Sequence, residues 1–256
     1  MFEAIIHVIR FELIRTMTVA RVMIWIAFCC FPALLAAALN YQAPDDVPQE
    51  IWIFICYLLV PQIGSMLGLL LWATSAVGSE IEAQTWIHLS MRPRGRITLA
   101  LGKYIVAVLW TASYCIVSSV LVSFLSGIED KVEGAFALAA TSLCAAIAYA
   151  AIYLLIGAVF FRRATIVAVI FSLVIEGLGA WIPATINQFT ISYRLRTLMT
   201  EWSDMGQIIN HRDVPFLFGD EGVFFTMLII VSYTVIVLGI ACYLITKREY
   251  PVQSDT

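Results

Sequence analysis

The residues of this chain that could do chemistry are three histidines, six cysteines, one Gly-Lys pair and a single acid set deep in an apolar run. His7, His88 and His211 stand on three widely separated segments without HExxH spacing, so neither a zinc pair nor a histidine-centred triad follows from them. Cys29, Cys30, Cys56, Cys115, Cys144 and Cys242 all fall in apolar stretches with no CxxC and no neighbouring histidine, and read as small packing residues rather than metal ligands or a disulfide framework. Gly95 followed by Gly102-Lys103 has the wrong spacing for a phosphate loop, and Tyr104 replaces the hydroxyl that would hold magnesium. Any ATP used on behalf of this chain must be hydrolysed by another. Glu176 is different: it lies about 13 residues beyond Arg163, hence ~20 Å into a bilayer core of ~30 Å. An acid at that depth is costly and is by default a functional candidate, lining a substrate path or a proton site. Gly177, Gly179 and Pro183 allow a second reading, in which the helix breaks early and leaves Glu176 beside a wet outer vestibule.

Depth has meaning here because the chain must live in lipid. Of its 256 residues 61% are apolar and 13% charged, and the mean hydropathy is +0.91, too little polar surface for a water-soluble fold. Long intervals between charges predict an all-α integral membrane protein with six spans, at about 22–42, 51–78, 104–127, 135–160, 164–182 and 223–246. The fifth, interrupted by Glu176, is expected to be short. Eleven of the fifteen basic residues alternate to one side: Arg10, Arg15 and Arg21; Arg92, Arg94, Arg96 and Lys103; Arg162 and Arg163; Lys247 and Arg248. By the positive-inside rule both termini are cytoplasmic, in a cell (plasma or inner) membrane. Trp52, Trp181, Tyr104 and Tyr250 fall near the expected interfaces. No nucleic-acid partner is expected.

Three segments do not span. Residues 1–20 repeat Phe2, Ile5, Ile6, Ile9, Leu13 and Met17 at helical spacing opposite Glu3, His7 and Arg10, which predicts an amphipathic helix lying on the inner surface. Residues 80–103 form a charged cytoplasmic hairpin whose first half is helical by pattern, with Ile81, Thr85, Trp86 and Leu89 on one face, before Pro93 and Gly95 break it. Residues 183–221 face outside, and there Ile191, Leu195, Leu198, Met199 and Trp202 share a face expected to rest on the outer interface. In span 2, Gly64 and Gly68 form a GxxxG pair that permits close helix packing within or between protomers, and Pro61 predicts a kink.

The hairpin carries a resemblance. Glu80 and Glu82, then Thr85, Leu89, Pro93 and Arg96, then Gly102-Lys103 opening span 3, resemble the permease subunits of type-2 ABC exporters, with Gln84 and Gly95 at two positions where the family commonly has Gly and Ser. The layout of entry helix, six spans, early hairpin and long external segment extends the likeness over essentially the whole chain. The resemblance implies a coupling helix, roughly residues 82–92, that docks on a separate ABC ATPase, with Glu80, Glu82, Thr85, Trp86, Leu89, Pro93 and Arg96 as the coupling set. It also implies two ATPase copies that carry ATP and magnesium, no cofactor on this chain, and a second permease chain as a homodimer or a related heterodimer. A rival from the residues alone is an ATP-independent carrier in which Glu176 exchanges protons. A membrane enzyme lacks its catalytic constellations.

Overall fold

In the computed structural model the described residues are 2–42, 47–74, 76, 78, 95–178, 187, 190–203 and 222–248, and their regular elements are all helical. They form α1 (Phe2–Thr16), α2 (Val19–Gln42), α3 (Gln49–Trp72), α4 (Gly95–Leu125), α5 (Lys131–Val159), α6 (Ala164–Leu178), α7 (Ile191–Trp202) and α8 (Val223–Lys247). Five of these, α2, α3, α4, α5 and α8, are 24 to 31 residues long, each with a strongly apolar stretch of 18 residues, enough to cross ~30 Å of hydrocarbon at 1.5 Å per residue. A further apolar helix, α6, has eight α-helical residues followed by seven in π conformation among the described residues.

The core is an antiparallel pair, α4 and α5, with the other helices packed around it. Small side chains explain the central place of α5. Ala137, Ala145, Ala146, Ala148, Ala150 and Ala151 are all fully buried, and a Cβ on Gly157 would stand 2.7 Å from the Thr74 carbonyl oxygen, so neighbouring backbones approach closely without a hydrophobic drive between helices. In α5, 72% of the apolar window is buried, against 22% in α2 and 28% in α8. These two outer helices therefore present apolar side chains such as Phe31, Leu34, Val235 and Ile236 to lipid.

Helix ends at one end of the bundle are capped by its basic residues. Arg96 donates to the Thr246 carbonyl at 3.0 Å, and Arg248 to the Ala158 carbonyl at 3.3 Å. Lys103 donates to the Ala76 carbonyl at 2.8 Å. The Thr246 and Ala158 carbonyls lie in the last turns of α8 and α5, where cations are favoured. The capping also shifts a boundary: α4 begins at Gly95 rather than near 104, because Lys103, although charged, is buried and fully engaged against Ala76 and Glu12.

Two amphipathic segments sit differently from expectation. In α1 the face turned to the bundle includes Val8, which packs over Gly102, Glu12, which approaches Lys103, and Thr16, which accepts from the Trp110 indole at 3.0 Å. Phe11 and Ile14 are exposed. The α7 helix lies within the bundle against α5 and α8 instead of on an outer surface. Its apolar residues Ile191, Leu195, Leu198 and Met199 are buried, but so are Ser192, Arg196, Thr197 and Thr200 on its other faces. Thr197 and Thr200 bond back to their own helix, to the Tyr193 and Thr197 carbonyls, so they can be buried without needing water. Trp52, expected at an interface, is also buried, beside Gly127.

Candidate functional site

Glu176 is the centre of a buried polar cluster with Gln62, Ser192 and Arg196. The site is built where α3 and α6 both depart from α-helical geometry. In α3 the departure covers Leu58–Gly64 and includes Pro61, whose missing N–H and ring disrupt the regular ladder. In α6 it covers Ser172–Leu178. Wider π turns of this kind recur where side chains must be re-aimed. Here they bring Gln62 and Glu176 together, the Gln62 amide donating to the Glu176 main-chain carbonyl at 3.5 Å.

The Glu176 carboxylate, 3% exposed, is met by three donors. Oε2 accepts from the Tyr149 hydroxyl and from the Ser192 N–H, each at 2.9 Å, and Oε1 accepts from the Ile191 N–H at 3.3 Å. Ile191 and Ser192 are the first two residues of α7, whose amides have no intrahelical partner. The amide of Tyr193, next in the same turn, is taken at 3.2 Å by the hydroxyl of the N-cap residue Thr190. An acid of α6 thus caps a helix belonging to a different segment, at the end where the dipole favours negative charge. Arg196, one turn along α7 and buried, is close enough to attract the carboxylate electrostatically and donates to Asn187 Oδ1 at 3.2 Å. Gln62 Oε1 completes the cluster, accepting from the Ser192 hydroxyl at 2.9 Å and lying 2.9 Å from the Tyr57 hydroxyl.

This cluster forms one wall of a groove of about 700 Å³ between α3 and α6. Phe54, Leu58, Ile63, Met66 and Leu67 of α3 and Val169 and Leu173 of α6 make its apolar sides, while Gln62, Glu176, Ser192 and Arg196 supply its polar groups. Such a cavity can hold an apolar body and offer hydrogen bonds to a polar end. The described residues contain no group of three or more His, Cys, Asp or Glu side chains arranged for a metal.

A protein-family model described as ABC-2 family transporter protein matches residues 18–179, well over half of the chain, from the start of α2 to just beyond Glu176. The chain belongs to the ABC-2 transporter family. It is accordingly a multi-pass membrane protein and the membrane component of an ABC transporter, for which family membership implies an ABC ATPase partner. No curated protein matches the chain.

Of the candidate residues of this ABC-2 permease, Gly64, Gly68, Arg96 and Glu176 are among the described residues. Glu80, Glu82, Thr85, Trp86, Leu89 and Pro93 lie outside the described residues. Arg96 is described, on the first turn of α4, donating to the α8 terminus. Gly64 and Gly68 face α4 of the same chain: the Tyr114 hydroxyl donates to the Gly64 carbonyl, and a Cβ on Gly68 would fall 2.7 Å from Tyr114 Cε1. The sequence pattern did not single out the partners of Glu176. The signals present are weak: Gln62 is a polar residue beside a mid-span proline, and Tyr149 and Tyr153 are hydroxyls on one helix face. Arg196, embedded in the apolar pattern of α7, carried no signal of burial, and Glu12 could be found only by noticing Val8, Glu12 and Thr16 at successive four-residue steps.

Proposed function

We propose that this chain is half of the membrane unit of an ABC exporter. Two permease chains, identical or related, would provide twelve spans, six from each, with α6 completing the set in each chain. Two ABC ATPase subunits would carry ATP and magnesium, with no cofactor on the permease. The family match over residues 18–179 carries this reading. The clustering of Arg96, Lys103 and Arg248 at one end of the bundle supports a cytoplasmic location for that end and for both termini, in a cell membrane. On that side residues 80–103 form the coupling hairpin, in which Glu80, Glu82, Thr85, Trp86, Leu89, Pro93 and Arg96 transmit closure of the ATPase pair. The nucleotide shifts the permease between conformations only through contacts that differ between them. The groove between α3 and α6, with Glu176 at its polar wall, is the proposed substrate path.

Co-purification and vesicle transport test the proposal together. A tagged chain is expected to bring down an ABC ATPase, and transport in sealed vesicles is expected to require ATP and magnesium. A chain that never retains an ATPase, and whose transport runs on a proton gradient without ATP and stops in Glu176→Gln, would instead establish the proton-coupled carrier.

A further inference from the structure

Gln62 stands in the polar wall of the groove between α3 and α6, 6% exposed, and its side-chain amide is only half used. Oε1 accepts from the Ser192 hydroxyl at 2.9 Å and lies 2.9 Å from the Tyr57 hydroxyl. That decides which end of the amide is oxygen, because the flipped group would set its oxygen against the Glu176 main-chain carbonyl. Nε2 carries two hydrogens. Its one partner among the described residues is that carbonyl, at 3.5 Å, beyond the usual N–H···O length of about 2.9–3.0 Å. One hydrogen is thus weakly bound and the other unmet, on a side chain that lines the groove.

The groove follows residues 54 to 70 of α3, roughly 20 Å of helix, and Gln62 lies at the middle of that length. From Gln62 toward the basic end of the bundle the walls are apolar, with Ile63, Met66, Leu67 and Leu70 on α3 and Val169 and Leu173 on α6. Water can meet the free N–H while the groove is wet. A purely apolar molecule that displaced this water would strand a buried donor, whereas a molecule with an oxygen beside Nε2 would not. A site that donates a hydrogen bond rejects analogues lacking the acceptor far more strongly than an all-apolar site discriminates by shape.

We propose that Gln62 is a specificity-determining residue of this groove, which takes amphipathic molecules that place a carbonyl or hydroxyl oxygen against Nε2 and an apolar chain along residues 63–70 of α3. The inference names a class of substrate and so rests on the reading of the groove as the substrate path. The binding itself needs neither ATP nor a partner.

The test compares 2-dodecanone with its isostere 2-methyl-1-dodecene, in which a CH₂ group replaces the carbonyl oxygen. Binding of the radiolabelled probes to the purified full chain in detergent is measured by equilibrium dialysis. Partition of each probe into micelles is the same for every variant and cancels when the ratio of the two affinities is compared between proteins. That ratio also cancels any fraction of a variant lost to misfolding. Gln62→Met, of similar volume but without the amide, should lower the ketone-to-alkene ratio about ten-fold, the factor that corresponds to one buried donor left unmet. Leu67→Trp, which fills the groove, should weaken both probes by the same factor, and Val235→Trp, exposed on α8 outside the groove, should weaken neither. The proposal is overturned if the ratio is the same in wild type and Gln62→Met, or if Leu67→Trp leaves both probes bound as before. Should Gln62→Met not fold, Gln62→Asn, which draws the amide back by one methylene, takes its place with the same direction expected. The substrate-path reading is tested separately. In the complex with its ATPase the ketone should stimulate ATP hydrolysis, and Leu67→Trp should abolish that stimulation. Hydrolysis indifferent to the ketone, with the ratio still lowered in Gln62→Met, would remove the path and leave Gln62 selecting the ligands of the groove.

Discussion

Replacing Glu176 with glutamine keeps the shape of the side chain but removes an acceptor from a place where all three neighbours donate. In the native arrangement Oε1 takes the Ile191 amide and Oε2 takes the Ser192 amide and the Tyr149 hydroxyl. The tyrosine can rotate its proton away and accept, but a backbone amide cannot. Whichever position the new NH₂ occupies, it opposes one of the two α7 amides. A buried donor left unmet costs about 1–3 kcal/mol, and the surviving bonds fall from the range of charge-assisted bonds, about 1.5–3 kcal/mol, toward about 0.5–1.5 kcal/mol. The expected loss is therefore about 2–4 kcal/mol, or roughly 5–15 °C in Tm for a chain of this size. Tyr149→Phe removes one donor and leaves both amides served, so it should cost about 1.5–3 kcal/mol. Because both changes act on one carboxylate, the Glu176→Gln/Tyr149→Phe double variant should be less destabilised than the sum by about 1 kcal/mol or more. Thermal unfolding of the purified protein in micelles, followed by tryptophan fluorescence, provides all four values. A Glu176→Gln protein that melts with the wild type, or a cycle that is strictly additive, would refute the view that this carboxylate holds α7 in the bundle.

Gly68→Ala places a methyl group against the Tyr114 ring, an overpacking expected to cost about 1–3 kcal/mol and to lower Tm. Gly239→Ala, in α8 with no atom within 4 Å of the added carbon, should not lower it in the same melting assay. In the proposed coupling helix, Trp86→Ala and Leu89→Ala should reduce ATP-driven transport at least ten-fold while leaving the Tm of the isolated permease unchanged. An unchanged transport rate in both would remove the hairpin from the coupling path.

How much of this could be read without a structure depended on whether the signal was local. Span existence was legible because lipid forces every backbone amide into a helix and forbids charge over some twenty residues, so α2, α3, α4, α5 and α8 follow closely from hydropathy. The departure of α6 from α-helical geometry at Ser172–Leu178 was not legible in the same way, since hydropathy carries no signal for it. Boundaries failed where a charged side chain found partners: Lys103 marked the end of the hairpin by composition, yet it is buried in α4 because the Ala76 carbonyl and Glu12 lie beside it. In α7, helical periodicity marked an apolar face correctly but could not reveal that the opposite face is also covered.

For the site itself, sequence singled out Glu176 by its cost and left its purpose open between a path through the membrane and a break in the helix. Composition, orientation signals and the hairpin pattern likewise belong to the sequence, since each depends on residues near one another in the chain or on a sum over it. Tertiary structure alone decided what the acid touches. Two π segments, Leu58–Gly64 and Ser172–Leu178, bring Gln62 beside Glu176, and the chain returns α7 so that its unpaired first amides meet the carboxylate. Partners separated by 15 to 114 residues leave no periodic trace, because a hydrogen bond requires only that two groups meet in space and places no demand on the sequence between them.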